Sequence, residues 1–511
     1  MTLTDKWVPI AAVLIAGFVL RTLVRTLNRP KFFPGPPRLP VIGNLFQMPK
    51  SEQWETYLKW KETYGDIIYL EVMGASLLVL NSYQRCVDLL EKRSDIYSDR
   101  PNTIVTNQMM GWEKSVVTGP YSDRWRRYRR MTAQSLKKEA VKRFHPVQER
   151  EIARFLGSLI EEPTQFMKNF RFAAARSLLM NMYGIEVKEA HDPIISVAER
   201  AMEVAVVGAQ PGNFLVDLIP ALRYVPDWFP GAGWKRFAAL GKKLTDQMID
   251  LPFNKTVEAM KSGVYEPSLA AINLEKHEDP EIVKWCAGTM LSAGTDTTVA
   301  SIHAFILAMV LYPVVQKKAQ AELDAVIGRD RLPTVEDRDD LPYINAMMRE
   351  MIRWQPVSPI ALPHRLIKDD VYDGHFIPAG TIVLGNTWAI SRDPMVYHDP
   401  ETFNPDRFLP MFDKSISHKP EDIPMDPMLY GFGYGRRVCA GMHYAEAMIF
   451  LTMTRLLATF DITTAKDGQG NDIVPKLHFN SNIVREALPF PCVIMARSEA
   501  AKGLVLANVN C

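Results

Sequence analysis

A ten-residue stretch around one cysteine constrains this chain more than any other feature. Residues 432–441 read FGYGRRVCAG, and the apolar, helix-forming run MHYAEAMIFL follows directly. Cys439 therefore lies where a glycine-rich turn meets the start of a helix, and backbone N–H groups and the helix dipole stabilise a thiolate there. Such a position suits a soft, anionic metal ligand. A buried structural cysteine beside a glycine turn is the alternative.

The residues around this cysteine fit a flat, bulky and charged cofactor. Gly433, Gly435 and Gly441 supply backbone freedom and allow something to approach the loop closely. Arg437, two residues before the cysteine, can pair with an anionic group on such a cofactor. The stretch therefore predicts a cofactor that brings both a metal and a negative charge.

The same stretch resembles the cysteine loop of the cytochrome P450 superfamily. It meets the family pattern F-x-x-G-x-R-x-C-x-G in full, through Phe432, Gly435, Arg437, Cys439 and Gly441. The resemblance implies that Cys439 is the axial thiolate ligand of the iron in haem b, with Phe432 and Arg437 beside the cofactor. A thiolate pushes electron density onto haem iron and favours O–O bond cleavage, which oxygen activation requires.

Bulk composition excludes several other classes of protein. The chain has 511 residues, of which 47% are hydrophobic, and can bury a large core. Its formal net charge of +2 gives no sign of a nucleic-acid-binding protein. The five cysteines are odd in number, widely spaced and without a CxxC pair, which argues against a disulfide framework and against a zinc site.

The N-terminal part of the chain predicts a membrane anchor followed by a stiff connection. Residues 7–20 form an uncharged apolar run, and three arginines follow it within residues 21–29. Positive charge on that side predicts a single-pass anchor over residues 1–30, with the rest of the chain in the cytosol. A cleaved signal peptide is the alternative, but its charge normally precedes the apolar run. Residues 31–43 are rich in proline and predict an extended hinge before a catalytic domain of residues 44–511.

A charge-poor run from Glu281 to Tyr312 predicts a helix of ~48 Å, long enough to cross a whole domain. Inside it, residues 293–298 read AGTDTT. We expect Gly294 to open space against the helix, while Asp296 and Thr297 offer an acid and a hydroxyl for proton relay. The stretch matches the P450 motif A/G-G-x-D/E-T-T/S, whose acid and alcohol deliver protons during dioxygen activation. A serine/threonine cluster that bends the helix is the alternative.

Further residues resemble the positions at which the family holds the haem propionates. Trp125 and Arg129 are four residues apart and share one helix face, as in the family's W-x-x-x-R pair. His364 occupies a family position that hydrogen-bonds a propionate, and its neighbour Arg365 competes for that role. Arg100 is another candidate. We therefore expect these side chains to lie close to Cys439.

Two more patterns concern the framework and the surface. Glu350 and Arg353 are three apart on one helical face, and Arg407 resembles the arginine that completes the family's structural Glu-Arg-Arg cluster. Six basic residues predict a basic surface, which is either a solvated helix face or a docking patch for an acidic electron donor. They are Arg126, Arg127, Arg130, Lys137, Lys138 and Lys142. The apolar stretch 214–230 predicts core packing or membrane contact.

Together these features predict a mainly α (α+β) protein with the cytochrome P450 fold: a large helical domain and a small β-rich lobe behind one N-terminal anchor helix. The resemblance implies a haem-thiolate monooxygenase of the endoplasmic reticulum membrane that hydroxylates or epoxidises a lipophilic substrate with O2 and electrons from NADPH. Likeness to fungal members suggests a terpenoid or other secondary-metabolite intermediate.

The same resemblance implies NADPH–cytochrome P450 reductase as the electron-donating partner, with cytochrome b5 as an optional second donor. The membrane is expected to be a partner as well, and nucleic acid is not. Two other functions remain open. One is a haem-thiolate isomerase or dehydratase that needs no reductase, and the other is a non-enzymatic haem-binding sensor.

Overall fold

Helices dominate the computed structural model, which describes residues 30–210, 212–419 and 423–509. The predicted anchor falls outside these residues, apart from Pro30. The helices are α1 (Gln53–Tyr64), α2 (Tyr83–Cys86), α3 (Ser94–Tyr97), α4 (Asp123–Leu136), α5 (Lys138–Val141), α6 (His145–Glu161), α7 (Phe166–Tyr183), α8 (Pro193–Ala209), α9 (Leu215–Leu218), α10 (Gly233–Ser262), α11 (Leu269–Glu275), α12 (Pro280–Leu311), α13 (Pro313–Val326), α14 (Pro342–Trp354), α15 (Thr387–Ser391), α16 (Met428–Gly431), α17 (Met442–Thr459) and α18 (Glu499–Asn508).

The strands form a smaller part of the molecule. They are β1 (Ile67–Val72), β2 (Ala75–Leu80), β3 (His364–Arg365), β4 (Asp370–Tyr372), β5 (His375–Ile377), β6 (Ile382–Gly385), β7 (Phe460–Lys466), β8 (Asp472–Ile473) and β9 (Cys492–Ala496). The largest sheet has four strands in the order β1-β2-β6-β3, in which only the β2–β6 pair is parallel. This sheet forms the core of the small lobe, as the sequence predicted.

The long helix α12 crosses the centre of the helical domain. The side chain of Asp279 accepts a hydrogen bond from the backbone N–H of Glu281 (3.0 Å), and Pro280 fits the first turn, where no N–H is needed. Pro313 cannot continue the helix, which ends at Leu311. The predicted limits are thus confirmed to within one residue at each end.

Helix α12 is the one helix among the described residues that is long and apolar enough to cross a membrane. Of its most apolar window, 72% is buried inside the protein. Its side chains pack against α7, α10, α17 and their neighbours, so its apolar composition serves the core.

The predicted hinge is extended and lies against the small lobe. The backbone N–H of Tyr69 donates to the carbonyl oxygen of Pro34 (2.9 Å), and that of Phe376 donates to Lys31 (2.7 Å). The ring of Phe32 stacks on that of Tyr69, with 4.7 Å between the ring centres. The segment is therefore fixed at several points, and its action as a hinge stays a prediction.

Three charged side chains are buried together where α14 meets the segment after α15. Glu350 and Arg353 have side chains with 0% exposure, and Arg353 donates to Glu350 through Nε (2.6 Å) and Nη2 (2.7 Å). Arg407 Nε donates to the same carboxylate at 3.2 Å, and the backbone N–H of Asn404 does so at 2.7 Å. This is the predicted Glu-Arg-Arg cluster. It ties three parts of the chain to one buried carboxylate.

Candidate functional site

The cysteine loop is a tight turn that rests directly on the segment after α2. Gly435 has φ +53°, and a Cβ atom there would lie 2.3 Å from the carbonyl oxygen of Leu90. The backbone N–H of Cys439 donates to the carbonyl oxygen of Phe432 (2.8 Å), which closes the loop, and Gly441 is the residue before α17. The turn thus places the thiol at the start of a helix, as predicted.

Replacing Gly435 with Ala is expected to destabilise the protein by about 2 kcal/mol or more. The left-handed backbone alone costs an L-residue about 1–2 kcal/mol, and the clash with the Leu90 carbonyl adds to that cost. Gly433→Ala is the matched control, because Gly433 also has a positive φ (+83°) but its nearest contact would be an ordinary 3.6 Å. Urea unfolding would measure both variants. Equal losses of stability would contradict the close approach at Gly435.

The side chain of Cys439 is open on one side although it lies deep in the protein. Its thiol forms no disulfide and keeps a large accessible surface. Burial raises the pKa of the Cys439 thiol, while the backbone N–H of Gly441 and the charge of Arg129 lower it. The sulfur atom is thus accessible although the residue lies inside the protein. A metal ligand that faces an internal space would have the same environment.

Arg437 is buried and its guanidinium is held by main-chain oxygens. Nε donates to the carbonyl oxygen of Ser98 (2.8 Å) and Nη2 to that of Gly119 (2.9 Å). The guanidinium lies 4.2 Å from the ring centre of Trp125, whose indole N–H donates to the carbonyl oxygen of Val116 (3.0 Å). The two residues therefore lie together, with the indole donor already engaged by the main chain.

Arg100 and His364 lie next to Arg437. Arg100 Nη1 donates to the carbonyl oxygens of Leu362 (2.6 Å) and Pro363 (2.7 Å), and His364 Nδ1 is 2.8 Å from the carbonyl oxygen of Tyr97. Both residues are buried. Burial and the charges of Arg100 and Arg437 keep the pKa of His364 well below its ordinary value, so the imidazole is neutral.

The positive charges of this cluster have little compensation. Burial, and then repulsion by Arg100, lowers the pKa of Arg437 to about 8, and burial lowers that of Arg100 to about 10. Within the described part of the chain, no carboxylate forms an ion pair with Arg100, Arg129 or Arg437. Asp99 is close, but it pairs with Arg365 (3.4 Å). Buried cations without partners are costly.

These residues fit a haem. Its two propionates would supply the negative charge that the buried guanidinium groups lack, and the open thiol of Cys439 provides one soft ligand for iron. The residues that the structure describes contain no group of three or more His, Cys, Asp or Glu side chains that could hold a metal ion. A metal centre built on several protein ligands is therefore not formed by them. A cofactor that brings most of the iron's ligands itself suits this arrangement.

The middle of α12 is partly accessible, although most of the helix is buried. Residues 293–297 are partly accessible, whereas 285–289 and 298–310 are buried. Thr297 Oγ1 donates to the carbonyl oxygen of Ala293 (2.9 Å). A Cβ atom on Gly294 would lie 3.1 Å from the Leu178 side chain, so this glycine lets α7 pack closely rather than opening a space on that side. Contact of Gly294 with a cofactor stays a prediction.

The structure adds three residues that the sequence patterns did not indicate. Asp296 accepts a hydrogen bond from Arg171 in α7 (2.5 Å), and the same guanidinium contacts Glu486 (2.9 Å). His303, about two turns after Asp296 along α12, contacts Glu486 as well (2.9 Å). Their contacts join helices to a loop far away in sequence, and no local motif marks them.

Of the predicted site residues, six lie in one linked cluster: Cys439, Arg437, Arg100, Arg129, Trp125 and His364. Phe432 lies in the cysteine loop itself. Asp296 and Thr297 lie with Gly294 in the accessible middle of α12. The structure thus groups the residues expected to hold the cofactor, and the two residues expected to relay protons lie on the central helix.

Comparisons with known proteins identify the family of this chain. The family model "Cytochrome P450" matches residues 33–490. Cytochrome P450 monooxygenase 208 of Postia placenta is 40% identical over 479 residues, covering 93% of this chain and 92% of that protein. Tryptamine 4-monooxygenase of Psilocybe cyanescens is 36% identical over 502 residues, covering 96% and 98%.

The fold is also similar to that of solved structures. A zebra fish cytochrome P450 determined with progesterone has a TM-score of 0.72 at 23% sequence identity, and covers 87% of this chain and 99% of that one. The predicted mainly α fold with small sheets is confirmed. Proteins of this family bind haem through a cysteine thiolate and, in the fungal relatives, act as monooxygenases. The chain described here therefore belongs to the cytochrome P450 family of haem-thiolate monooxygenases.

Proposed function

We propose that this enzyme inserts one atom of O2 into a C–H or C=C bond of a lipophilic molecule, with water as the second product. Cys439 would ligate the haem iron, and the guanidinium groups of Arg100, Arg129 and Arg437 would hold the haem propionates, with the Trp125 ring packed against Arg437. Haem supplies the oxygen activation when it is bound. The buried, uncompensated guanidinium groups beside the open thiol are the observation that supports this placement.

The pair Asp296–Thr297 favours oxygen cleavage over the isomerase or dehydratase alternative. Both residues lie in the partly accessible middle of an otherwise buried helix, and the Asp296 carboxylate is paired there with Arg171 (2.5 Å). Splitting O2 consumes protons, whereas rearranging a substrate already at the right oxidation level does not. We therefore assign Asp296 and Thr297 to proton delivery.

Replacing Thr297 with Ala is expected to leave haem binding intact and to reduce product formed per NADPH by at least about tenfold, since a positioned proton-transfer group contributes about 10²-fold or more. Electrons should then appear as hydrogen peroxide. The measurement is the ratio of peroxide and of product to NADPH consumed in the presence of reductase.

The matched control is Thr295→Ala. Thr295 Oγ1 donates to the carbonyl oxygen four residues earlier (Leu291, 2.9 Å), as Thr297 Oγ1 does to Ala293, but it projects from a different face of α12. This control should keep the coupling of the unaltered enzyme. A Thr297→Ala protein with unchanged coupling would contradict the proton-delivery role.

For the substrate we propose a terpenoid or other lipophilic secondary-metabolite intermediate. Met290 and Ala293 are partly accessible on α12, and we place them in the substrate pocket together with residues 360–362. The relative named for tryptamine adds aromatic amines as a second class to test. Membranes containing the enzyme and reductase would be incubated with both classes, NADPH and isotopically labelled O2. Incorporation of one labelled oxygen atom identifies the substrate class, and none in either class contradicts the proposal.

The electron donor in this proposal is NADPH–cytochrome P450 reductase, with cytochrome b5 as an optional second donor. It would dock on the basic surface of α4 and α5, where the arginine and lysine side chains are exposed. Some of these charges are paired, for example Arg127 with Asp279 (3.2 Å) and Lys142 with Glu139 (2.9 Å). Arg130, Lys137 and Lys138 are exposed and supply the positive charge that an acidic partner needs.

We place the enzyme on the endoplasmic reticulum membrane, anchored by residues 1–30 with the catalytic domain in the cytosol. The stretch 214–230 supports a membrane surface nearby, because it exposes large apolar side chains. Tyr224 is 80% exposed, Trp228 81% and Phe229 50%. Of the two predictions for this stretch, membrane contact therefore accounts better for these three residues than core packing does.

A further inference from the structure

One guanidinium is shared between the proton-relay acid and a second carboxylate. Arg171 Nη1 donates to Asp296 Oδ1 (2.5 Å), whereas Arg171 Nη2 donates to both oxygens of Glu486, at 2.9 and 3.1 Å. The contact between these two residues therefore consists of one carboxylate oxygen of Asp296 and one N–H group of Arg171. Glu486 occupies the other terminal nitrogen, which Asp296 would need for a bidentate pair.

Glu486 is itself held in place by a buried histidine. The side chain of His303 is 1% exposed, and its Nδ1 is 2.9 Å from Glu486 Oε1. Its Nε2 is 3.2 Å from the carbonyl oxygen of Met167, so the ring is fixed between two acceptors. Glu486 cannot turn away from Arg171 without breaking the contact with His303. Contacts thus run from Asp296 through Arg171 to Glu486, and His303 holds the Glu486 end in place.

Asp296 also borders a cavity of about 570 Å³ between α7, α8, α12 and the segment 480–486. Arg171 and Glu486 line the same cavity, and Thr297 does not. Adjacent residues of a helix project about 100° apart. The carboxylate of Asp296 must therefore turn from its present contact to reach the Thr297 side of the helix.

We propose that Glu486 is a positioning residue for Asp296, and that it acts by competing for Arg171. The competition limits Asp296 to a single hydrogen bond, so its carboxylate stays free to turn toward Thr297. Without the negative charge of Glu486, Arg171 would bind Asp296 through both terminal nitrogens and hold it away from Thr297. This inference rests on the proton-delivery role of Asp296 in the proposed function.

The test needs no substrate. The full-length protein in membranes with reductase and NADPH reduces O2 either to hydrogen peroxide, with one NADPH per O2, or to two water molecules, with two NADPH per O2. Slow proton delivery favours peroxide. Glu486→Gln keeps the size of the side chain and an oxygen that faces His303. It should raise the peroxide released per O2 by about threefold. An effect of this size lies within the range of coupling between contacting residues.

A double-mutant comparison separates this role from a structural one. Asp296→Asn should raise the peroxide ratio, and Glu486→Gln should add nothing in that background, because it acts through Asp296. The control is Glu203→Gln, since Glu203 borders the same cavity but pairs with Arg200 (2.8 Å) rather than with Arg171. It should leave the ratio unchanged. The melting temperature and the reduced carbon monoxide spectrum check that each variant is folded and holds haem.

Other results would contradict either the role of Glu486 or the proton-delivery role of Asp296. An unchanged ratio in Glu486→Gln, with a raised ratio in Asp296→Asn, contradicts the inference and leaves the proposed function intact. Additive effects of the two substitutions also contradict the inference. An unchanged ratio in Asp296→Asn contradicts the proton-delivery role and the inference with it. If Glu486→Gln does not fold, Glu486→Asp replaces it: the shorter acid competes less well and should give a smaller rise, whereas no rise contradicts the inference.

Discussion

Replacing Cys439 with Ala is expected to abolish the thiolate-ligated haem and all NADPH-dependent oxygenation. The loop offers no second thiol, and the described residues hold no other cluster of metal-binding side chains to take over the iron. The fold should survive, because the Cys439 side chain is accessible and the backbone hydrogen bond to Phe432 does not need the sulfur. The absorbance spectrum of the purified protein and the rate of NADPH-dependent O2 consumption measure the loss.

Cys492→Ala is the control for this substitution. Cys492 is a free, partly buried cysteine at the start of β9, where it pairs with Thr464 in the sheet, away from the cysteine loop. Its replacement should leave the haem spectrum unchanged. If Cys439→Ala keeps the haem spectrum of the unaltered protein, the assignment of Cys439 as the axial ligand is wrong.

Replacing Glu350 with Ala is expected to cost about 3–5 kcal/mol of folding stability, because the loss of one partner from a buried ion pair leaves the other charge uncompensated. Here two guanidinium groups, those of Arg353 and Arg407, lose the same carboxylate. Domains are stable by about 5–15 kcal/mol in total. The loss is therefore a large part of the total, and we expect a lower yield of folded, haem-containing protein at physiological temperature. Urea unfolding and the yield of haem-containing protein measure the effect.

The control is another acid with an arginine three residues away, but at the surface. Glu203 pairs with Arg200 at 2.8 Å, and both side chains are more than 60% exposed, at 64% and 61%. Exposed pairs contribute little, so Glu203→Ala should hardly move the unfolding midpoint. If Glu350→Ala unfolds at the same urea concentration as the unaltered protein, the buried cluster does not stabilise the fold.

Local patterns predicted the elements whose limits are set by neighbouring residues. The alternating pattern of residues 67–72 predicts a strand, and the structure has a strand with these limits. Helix α12 was predicted to within one residue at each end, because prolines and a capping acid mark its ends. The sequence also predicts a helix from Tyr83 to Lys92, and the structure of this segment is different. It is an α-helix only to Cys86 and continues as a wider π-type turn over Val87–Glu91. Gly435 of the cysteine loop packs against this turn, and periodicity within the segment cannot reveal such a distant contact.

In the candidate site, too, local patterns were predicted and contacts between distant segments were not. Motifs indicated Cys439 and its neighbours, since each motif is short and contiguous in sequence. The partners of Asp296 could not be predicted, because Arg171 and Glu486 approach from an adjacent helix and from a loop near the C-terminus. Ion pairs between distant segments depend on packing, which no single-sequence pattern encodes.

The most direct test of the central claim is the carbon monoxide difference spectrum of the reduced full-length protein. If Cys439 ligates haem iron as a thiolate, the spectrum will show the strongly red-shifted band for which the family is named. A band at the position typical of histidine ligation would contradict the thiolate assignment. The absence of any haem band in folded protein would contradict the haem site itself.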